Sequence, residues 1–177
     1  IIDEREADFI RKESVNAWLA NHPDFLEDYL DPAMDSSKRD WVNRQQLPNL
    51  VDSLALAFIR SSKDRLLTPD SLRIKLDSSF APLPLAELGW SIYADYQRAL
   101  AYRGAVDFDD LIRLALTLLQ NDEEYLERLR FRYPFILEDE AQDSSRTQQQ
   151  ILGLLSGDSS PSPRGRGVRG EGDAEAR

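Results

Sequence analysis

The chain contains no cysteine, one histidine and one methionine among its 177 residues. The lack of cysteine excludes disulfide bonds and thiolate metal sites, and it fits a reducing compartment. No apolar run approaches the roughly 18 residues that a membrane-spanning helix needs, and the N-terminus shows no signal-peptide pattern. We therefore expect a cytoplasmic protein with no membrane partner.

Positive charge is scarce as well, since 22 Lys and Arg residues stand against 32 Asp and Glu residues, for a formal net charge of −10. A free-standing nucleic-acid-binding protein usually presents a basic field, because phosphate neutralisation supplies most of its affinity. This chain as a whole would repel a phosphate backbone. Any contact with nucleic acid must therefore be local, or shared with segments that the chain lacks.

Most of the chain has helical periodicity. Helices are predicted over residues 3–20, from residue 48, from residue 69, and over residues 85–102, 108–119, 122–132 and 145–155. A short helical piece is also predicted over residues 24–30. In contrast, residues 158–177 are rich in Arg, Gly, Pro and Ser and carry no aromatic residue. That tail cannot bury enough apolar surface to offset its ordering entropy, so we expect it to be disordered.

The most informative stretch covers residues 135–143, which read FILEDEAQD. Phe135–Leu137 is predicted as a β-strand buried on both faces, because it is apolar at every position. An apolar strand that ends in carboxylates, directly before a helix, is typical of a Walker B element. In that pattern Asp139 binds Mg²⁺, and Glu140 orients or deprotonates the attacking water. The same pattern also occurs where a buried strand simply emerges into solvent.

A second motif, VDFDDL, covers residues 106–111. Asp107 can cap the helix that follows, and Phe108 can pack its first turn against the core. Taken alone, the motif indicates only a well-capped helix.

Together, the two motifs and their spacing strongly resemble the UvrD/Rep-like branch of superfamily 1 DNA helicases. In that family a segment of the Asp-Phe-x-Asp-Leu type precedes motif II, whose core is Asp-Glu-x-Gln-Asp. The close match covers roughly residues 106–157. Residues upstream of it are similar in style to the helical 1B subdomain of the family.

The resemblance implies a role for each matching position. Asp139 would coordinate the Mg²⁺ that is bound to ATP, and Glu140 would be the general base or the water-positioning group. Gln142 would sense the γ-phosphate and couple it to movement along single-stranded DNA. Asp107 and Asp143 would be structural, and Phe108 would lie in the core.

The chain also departs from the family pattern. It contains no Gly-x-x-x-x-Gly-Lys-Thr loop to hold the phosphates of ATP,, and the second RecA-like domain has no counterpart in it. We therefore expect the chain to be an inactive fragment that begins inside a longer reading frame, whose partners in the parent enzyme are single-stranded or duplex DNA and the missing RecA-like segments. The abrupt change of composition after Gly157 predicts a frameshift or a truncated reading frame.

The predicted fold is mostly α, with an incomplete RecA-like α/β piece attached to a helical 1B-like subdomain. Its divisions are residues 1–104 for the 1B-like subdomain, 105–157 for the partial RecA-like segment, and 158–177 for the tail. Two alternatives remain open. One is a non-enzymatic helical interaction module that retains the motif by descent. The other is a two-metal nuclease cluster, built from the side chains Glu138, Asp139, Glu140 and Asp143.

Several scattered side chains could also contact DNA. Exposed tryptophans can stack on bases, and the candidates are Trp18, Trp41 and Trp90. Basic groups at Arg60, Lys63, Arg65, Arg98 and Arg103 could contact phosphates. Core packing explains the tryptophans as well, and a solvated helix face explains the basic groups.

Overall fold

The computed structural model of the chain describes residues 1–25, 30–139 and 141–157. Helices α1 to α8 span, in order, Glu4–Asn21, Ser36–Trp41, Leu47–Asp64, Pro69–Asp77, Pro84–Tyr102, Phe108–Asn121, Glu123–Arg132 and Arg146–Ser156. A π-helical turn over Val42–Gln46 joins α2 to α3, and a 3₁₀ turn over Ala141–Asp143 precedes α8. The mostly helical fold is therefore confirmed. None of the described helices is long and apolar enough to cross a bilayer.

Local sequence signals determine where several helices begin and end. The Thr68 hydroxyl accepts a hydrogen bond from the backbone N–H of Ser71, and the Ser71 hydroxyl oxygen accepts one from the N–H of Thr68. This capping box satisfies donors that the first turn of α4 leaves unpaired, and Pro69 occupies a position where no N–H is needed,. Gly104 follows α5 with a φ of +59°, a left-handed conformation that favours glycine,.

The core lies between α1, α3 and α5, which pack against one another in pairs. One cluster of buried side chains consists of Ile10, Ile59, Leu72, Tyr93, Tyr96 and Leu100, and a second consists of Val15, Trp18, Val51, Ala55, Leu88 and Ile92. The close approach of α3 and α5 requires Gly89, because a Cβ atom there would lie 2.6 Å from the Phe58 ring. Helix α4 covers α5, whereas α6 packs against α3, α7 and α8.

Sequence periodicity predicts Leu88, Ile92, Tyr96 and Leu100 as the inner stripe of α5, and all four are buried,. For α6 the predicted apolar stripe is Phe108, Leu111, Ile112, Ala115, Leu118 and Leu119, and the prediction holds only in part. Leu119 is buried in α6, but Phe108 is 65% exposed and Leu118 is 48% exposed. The prediction that Phe108 lies in the core is therefore wrong. Helix α6 has a regular apolar stripe, but α3 and α8 cover only part of its circumference.

The predicted strand Phe135–Leu137 forms no β-ladder with the described residues, and this prediction needs correction. Phe135 is 88% exposed and Leu137 is 96% exposed, instead of being covered on both faces. A strand needs neighbouring strands to pair its backbone N–H and C=O groups. The described part of the chain contains no other strand, so the segment stays irregular and the RecA-like portion is not formed as a sheet.

The structure does not test three further predictions, which concern residues 24–30, the tail 158–177 and the division of the chain. The helical piece over residues 24–30 lies mostly outside the described residues, as does the whole tail 158–177. The division of the chain at residues 104 and 157 stays a prediction.

Candidate functional site

The acidic motif lies between α7 and α8, in a stretch we call the motif segment, residues 133–145. Hydrogen bonds tie down the helices on both sides of it. The Arg130 guanidinium of α7 donates to the carbonyl oxygen of Leu154 at 2.9 and 2.6 Å. The backbone N–H and the hydroxyl of Thr147 in α8 donate to the side chain and the carbonyl oxygen of Asp64, each at 3.0 Å.

Helix α8 begins directly after the motif, as predicted, because residues 145–148 form a capping box. The Ser145 hydroxyl accepts a hydrogen bond from the Gln148 N–H at 3.2 Å, and the Gln148 amide oxygen accepts one from the Ser145 N–H at 2.9 Å. These bonds satisfy two donors at the start of the helix. The end of the motif segment is thereby fixed relative to α3 and α8.

The predicted catalytic and metal-binding residues lie on the surface of this segment. Asp139 and Gln142 are both exposed. Glu140 and the side chain of Asp143 lie outside the described residues. The predicted roles of Asp139 as the Mg²⁺ ligand and Glu140 as the group that orients or deprotonates water therefore stay predictions. The Ser144 hydroxyl donates to the Glu138 carboxylate. No three His, Cys, Asp or Glu side chains within the described ranges are grouped as a metal site.

The donor chemistry of Asp139 nevertheless suits Mg²⁺. This cation prefers oxygen ligands and is commonly held by one or two carboxylates, with water and substrate phosphate oxygens completing the octahedron. Asp139 supplies one such carboxylate, free of ion pairs among the described residues. The Gln142 amide can both donate and accept hydrogen bonds.

The second motif has the opposite surroundings. Asp107 is 7% exposed, and its carboxylate accepts hydrogen bonds from the Lys63 ammonium at 2.5 Å and from the Tyr96 hydroxyl at 2.7 Å. It also accepts one at 2.8 Å from the N–H of Asp110, and so caps α6. Asp107 therefore has a structural role here, as expected.

Asp110 completes this group of buried charges. Its carboxylate lies 3.0 Å from the Lys63 ammonium and 3.2 Å from the Arg113 guanidinium. We call Lys63, Tyr96, Asp107 and Asp110 the buried ion cluster. It joins α3, α5 and α6.

Lys63 corrects one of the sequence predictions. It is only 2% exposed, so it cannot contact a phosphate backbone as part of a basic surface. A signal for this was present in the sequence, because Lys63 follows Val51, Ala55 and Ile59 at spacings of four residues. That spacing places it on the buried stripe of α3.

The buried ion cluster changes the pKa values of Asp107 and Tyr96 and of the neighbouring Asp109. Burial by itself would raise the pKa of Asp107, but the Lys63 charge and the hydrogen bonds from Lys63, Asp110 and Tyr96 lower it overall,. Burial and the hydrogen bond to Asp107 raise the pKa of the Tyr96 hydroxyl far above its usual range. Burial, together with the negative charge of Asp107, raises the pKa of the neighbouring Asp109 carboxyl.

Only one of the three tryptophans is available for stacking on a base. Trp18 is buried, and its ring stacks on His22 at 4.3 Å. Trp90 is covered by the Arg73 guanidinium at 4.7 Å and donates to the carbonyl oxygen of Pro69. Trp41, in contrast, is 52% exposed.

Comparison with known proteins gives a consistent family. The family model described as the UvrD/REP helicase N-terminal domain matches residues 4–161. DNA helicase II of Escherichia coli (strain K12) is 32% identical over 126 residues, which is 71% of this chain and 15% of that protein. The ATP-dependent DNA helicase PcrA of Leuconostoc citreum is 32% identical over 100 residues, which is 56% of this chain and 13% of that protein. The chain thus corresponds to a small part of these relatives. No solved structure matches it.

Proposed function

Because the chain belongs to the UvrD/REP helicase N-terminal domain family, we propose that it is part of an ATP-dependent DNA helicase, in which ATP hydrolysis drives movement along single-stranded DNA. The observation that carries the proposal is the family match over residues 4–161. The motif segment supports it, since its acidic residues end directly at a capped helix.

Each motif residue has a proposed role in the parent enzyme. Asp139 would hold Mg²⁺ through a carboxylate oxygen, and the cation would supply neutralisation of the negative charge on the phosphates of ATP. Glu140 orients or deprotonates the attacking water. Gln142 contacts the γ-phosphate through its amide and links its presence to DNA movement.

The 177-residue chain alone is proposed to be inactive. Phosphoryl transfer depends on positioning and on electrostatic stabilisation of the transferred group. The sequence contains no phosphate-binding loop, whose backbone N–H groups would hold the phosphates of ATP,. The exposed Asp139 can offer only one carboxylate to a cation. Neither ATP nor Mg²⁺ is expected to bind tightly.

The test has two stages. The chain is first assayed for ATP hydrolysis with and without single-stranded DNA, and no hydrolysis is expected. Residues 4–157 then replace the matching stretch of E. coli DNA helicase II, and the chimera is expected to show DNA-stimulated hydrolysis. Asp139→Ala in the chimera should reduce that activity at least about a hundredfold, a loss typical of removing one catalytic electrostatic contact. The matched control is Asp40→Ala, which removes another exposed carboxylate and should leave the activity unchanged.

Two results would contradict the proposal. One is a folded, DNA-binding chimera whose hydrolysis does not depend on Asp139. The other is DNA cleavage by the chain with a divalent metal and no ATP, which would favour the two-metal nuclease.

A non-enzymatic interaction module is the second candidate function. The exposed apolar side chains of α6, such as Phe108 and Leu118, favour it, because surfaces of this kind commonly mark protein contacts,. It predicts a stably folded chain that binds no nucleotide even when placed in the chimera.

A further inference from the structure

Asp64 joins the end of α3 to the start of α8. The backbone N–H of Thr147 donates to the Asp64 carboxylate at 3.0 Å. The Thr147 hydroxyl lies 3.0 Å from the Asp64 carbonyl oxygen and 3.3 Å from its carboxylate, so one O–H is shared between two acceptors. The two residues are 83 positions apart in the sequence, and Thr147 is 3% exposed. The contact is therefore a buried link between two distant parts of the chain.

Helix α8 needs an acceptor of this kind in its first turn. The first four backbone N–H groups of a helix have no acceptor within the helix. The Ser145 hydroxyl accepts from the N–H of Gln148, whereas the N–H of Thr147 donates to Asp64, a residue of a different helix. A carboxylate in this position also interacts favourably with the helix dipole. The start of α8 is therefore held by its own cap and by α3 together.

The last turn of α3 holds a second helix start. Lys63, the neighbour of Asp64, lies 2.5 Å from the Asp107 carboxylate, which caps α6. Consecutive residues of a helix point about 100° apart around its axis, so Lys63 and Asp64 reach two different helices. One turn of α3 thus contacts the starts of both α6 and α8, which are the helices at whose starts the two acidic motifs lie.

The far end of α8 is held by a different group. The Arg130 guanidinium of α7 donates to the carbonyl oxygen of Leu154, in the last turn of α8. Gln142, in contrast, precedes Thr147 by five residues. Asp64 therefore acts on the end of α8 that lies beside the motif segment.

We infer that Asp64 is a positioning residue of the ATP site in the parent helicase: by holding the start of α8, it fixes where Gln142 lies. The inference rests on the proposed function, in which Gln142 contacts the γ-phosphate, and it adds a connection from that contact to the helical core. Helix α3 provides this connection, because it packs against α1 and α5. Asp64 acts through α8 and not through contact with a substrate.

The expected kinetic effect is a loss of stimulation by DNA. We define the stimulation factor as the rate of ATP hydrolysis with single-stranded DNA divided by the rate without it. Both rates come from the same preparation, so the fraction of folded enzyme cancels, and a residue that only stabilises the fold leaves the factor unchanged. A displaced Gln142 would instead lower the factor, because Gln142 is the proposed link between the γ-phosphate and DNA.

The chimera with E. coli DNA helicase II tests this effect. Asp64→Ala should lower the stimulation factor at least about tenfold, since a displacement of about 1 Å can lower a rate about a hundredfold. Asp64→Asn should retain at least about a third of the factor, because Asn and Asp cap helices about equally well. Thr68→Ala is the matched control. It removes a cap from α4, which packs against α5, and should leave the factor unchanged.

Thr147 provides a variant on the other side of the contact. Thr147→Val removes the hydroxyl but keeps the shape of the side chain and the backbone N–H, so the factor should fall less than in Asp64→Ala. The double variant should lose no more than Asp64→Ala alone, because both changes remove parts of one interaction. Losses that multiply would show that the two residues act separately, and would overturn the inference.

Hydrogen exchange of the 177-residue chain tests the structural step without the chimera. Exchange of backbone amides reports local opening of a helix. Asp64→Ala should speed the exchange of the Thr147 N–H at least about tenfold, since a hydrogen bond to a charged group stabilises by more than a factor of ten. Amides of α5 should exchange as in the parent chain, and Thr68→Ala should leave the Thr147 N–H unchanged.

The outcomes distinguish failure of this inference from failure of the proposed function. Unchanged exchange at Thr147 in the Asp64→Ala chain would overturn the inference. So would an unchanged stimulation factor for Asp64→Ala in a chimera whose hydrolysis depends on Asp139. A parent chimera without DNA-stimulated hydrolysis, or one whose hydrolysis does not depend on Asp139, would instead contradict the proposed function and, with it, the role of Asp64 at the ATP site.

Discussion

A short acidic motif lies at the start of each of the helices α6 and α8, and the two motifs have opposite surroundings. Before α6, the Asp107 carboxylate is buried and contacts Lys63 and Tyr96 at 2.5 and 2.7 Å. Before α8, Asp139 is exposed, and the apolar side chains of Phe135 and Leu137 that precede it are exposed as well.

The difference lies in where the partners of each motif are located. Asp107 finds its partners on α3 and α5, which lie earlier in the same chain. Phe135–Leu137 needs other strands, and the described residues provide none. The Asp107 motif is buried because its hydrogen-bonding partners lie within this chain. The Phe135–Leu137 segment is exposed because the described residues contain no strand with which it could pair. The following predictions test that contrast, beginning with the largest expected effect.

Lys63→Met should destabilise the chain most. The substitution keeps most of the side-chain volume but leaves two buried carboxylates, Asp107 and Asp110, without their shared cation. Breaking a buried ion pair by removing one partner typically costs about 3–5 kcal/mol. Chemical denaturation followed by circular dichroism measures the loss. Lys12→Met, on the exposed face of α1, is the matched control and should change the free energy of unfolding by less than about 0.5 kcal/mol. Equal effects of the two substitutions would show that the cluster does not stabilise the fold.

Tyr96→Phe should have a smaller effect of the same kind. It removes the hydroxyl that donates to Asp107 at 2.7 Å, while the ring remains in the core. A hydrogen bond to a charged group contributes about 1.5–3 kcal/mol, and we expect a loss of about that size. Tyr102→Phe is the control, because Tyr102 is 94% exposed and its hydroxyl has no described partner. A loss as small as that of the control would contradict a contribution from the Tyr96 hydroxyl.

The two carboxylates at the start of α6 should affect acid stability in opposite directions. The pKa of Asp107 lies below its ordinary value of 3.8 in the folded chain. Its contribution is therefore fully present above pH 3.8 and is lost as the pH falls through the folded pKa. The pKa of Asp109 is raised above 3.8, so its contribution grows as the pH falls through that raised value.

Replacement of each carboxylate by its amide separates the two effects. Asp107→Asn retains a good helix cap and should destabilise the chain at neutral pH, with a difference from the parent chain that shrinks below pH 3.8. Asp109→Asn should make the loss of stability on acidification steeper. Denaturation midpoints measured from pH 7 to pH 3 would test both, and parallel curves for the parent chain and Asp107→Asn would contradict the lowered pKa.

The sequence was sufficient to predict most of the helices because their signals are local. Thr68-Pro69 at α4, Ser145 at α8 and the four-residue spacing of Leu88, Ile92 and Tyr96 in α5 act within one or two helical turns. The helices predicted from residue 69 and over residues 85–102 and 145–155 agree with the structure to within one residue at their starts. Their physical causes are capping and burial of one helix face, and neither requires knowledge of distant residues.

The errors arose where the outcome depends on distant partners. Lys63 reads as a surface cation until Asp107 and Asp110, more than forty positions away, are placed beside it,. Phe135–Leu137 reads as a buried strand, but burial requires neighbours on both faces and hydrogen-bonding partners on both edges. For the motif residues themselves, the sequence predicted chemistry rather than position. The roles of Asp139, Glu140 and Gln142 therefore stay predictions.

The smallest expected effect concerns the motif segment. Asp139→Ala should change the free energy of unfolding by less than about 0.5 kcal/mol, because an exposed carboxylate without an ion pair contributes little to stability. Asp107→Ala is the same chemical change at the other motif, and it should cost at least about 3 kcal/mol through the broken ion pair and the lost helix cap. Denaturation curves of the two variants, measured side by side, give the most direct comparison of the two regions. A loss above about 1 kcal/mol for Asp139→Ala would show that the motif segment already has a partner within the folded chain. In that case the motif segment would not differ from the Asp107 motif in having partners within the chain.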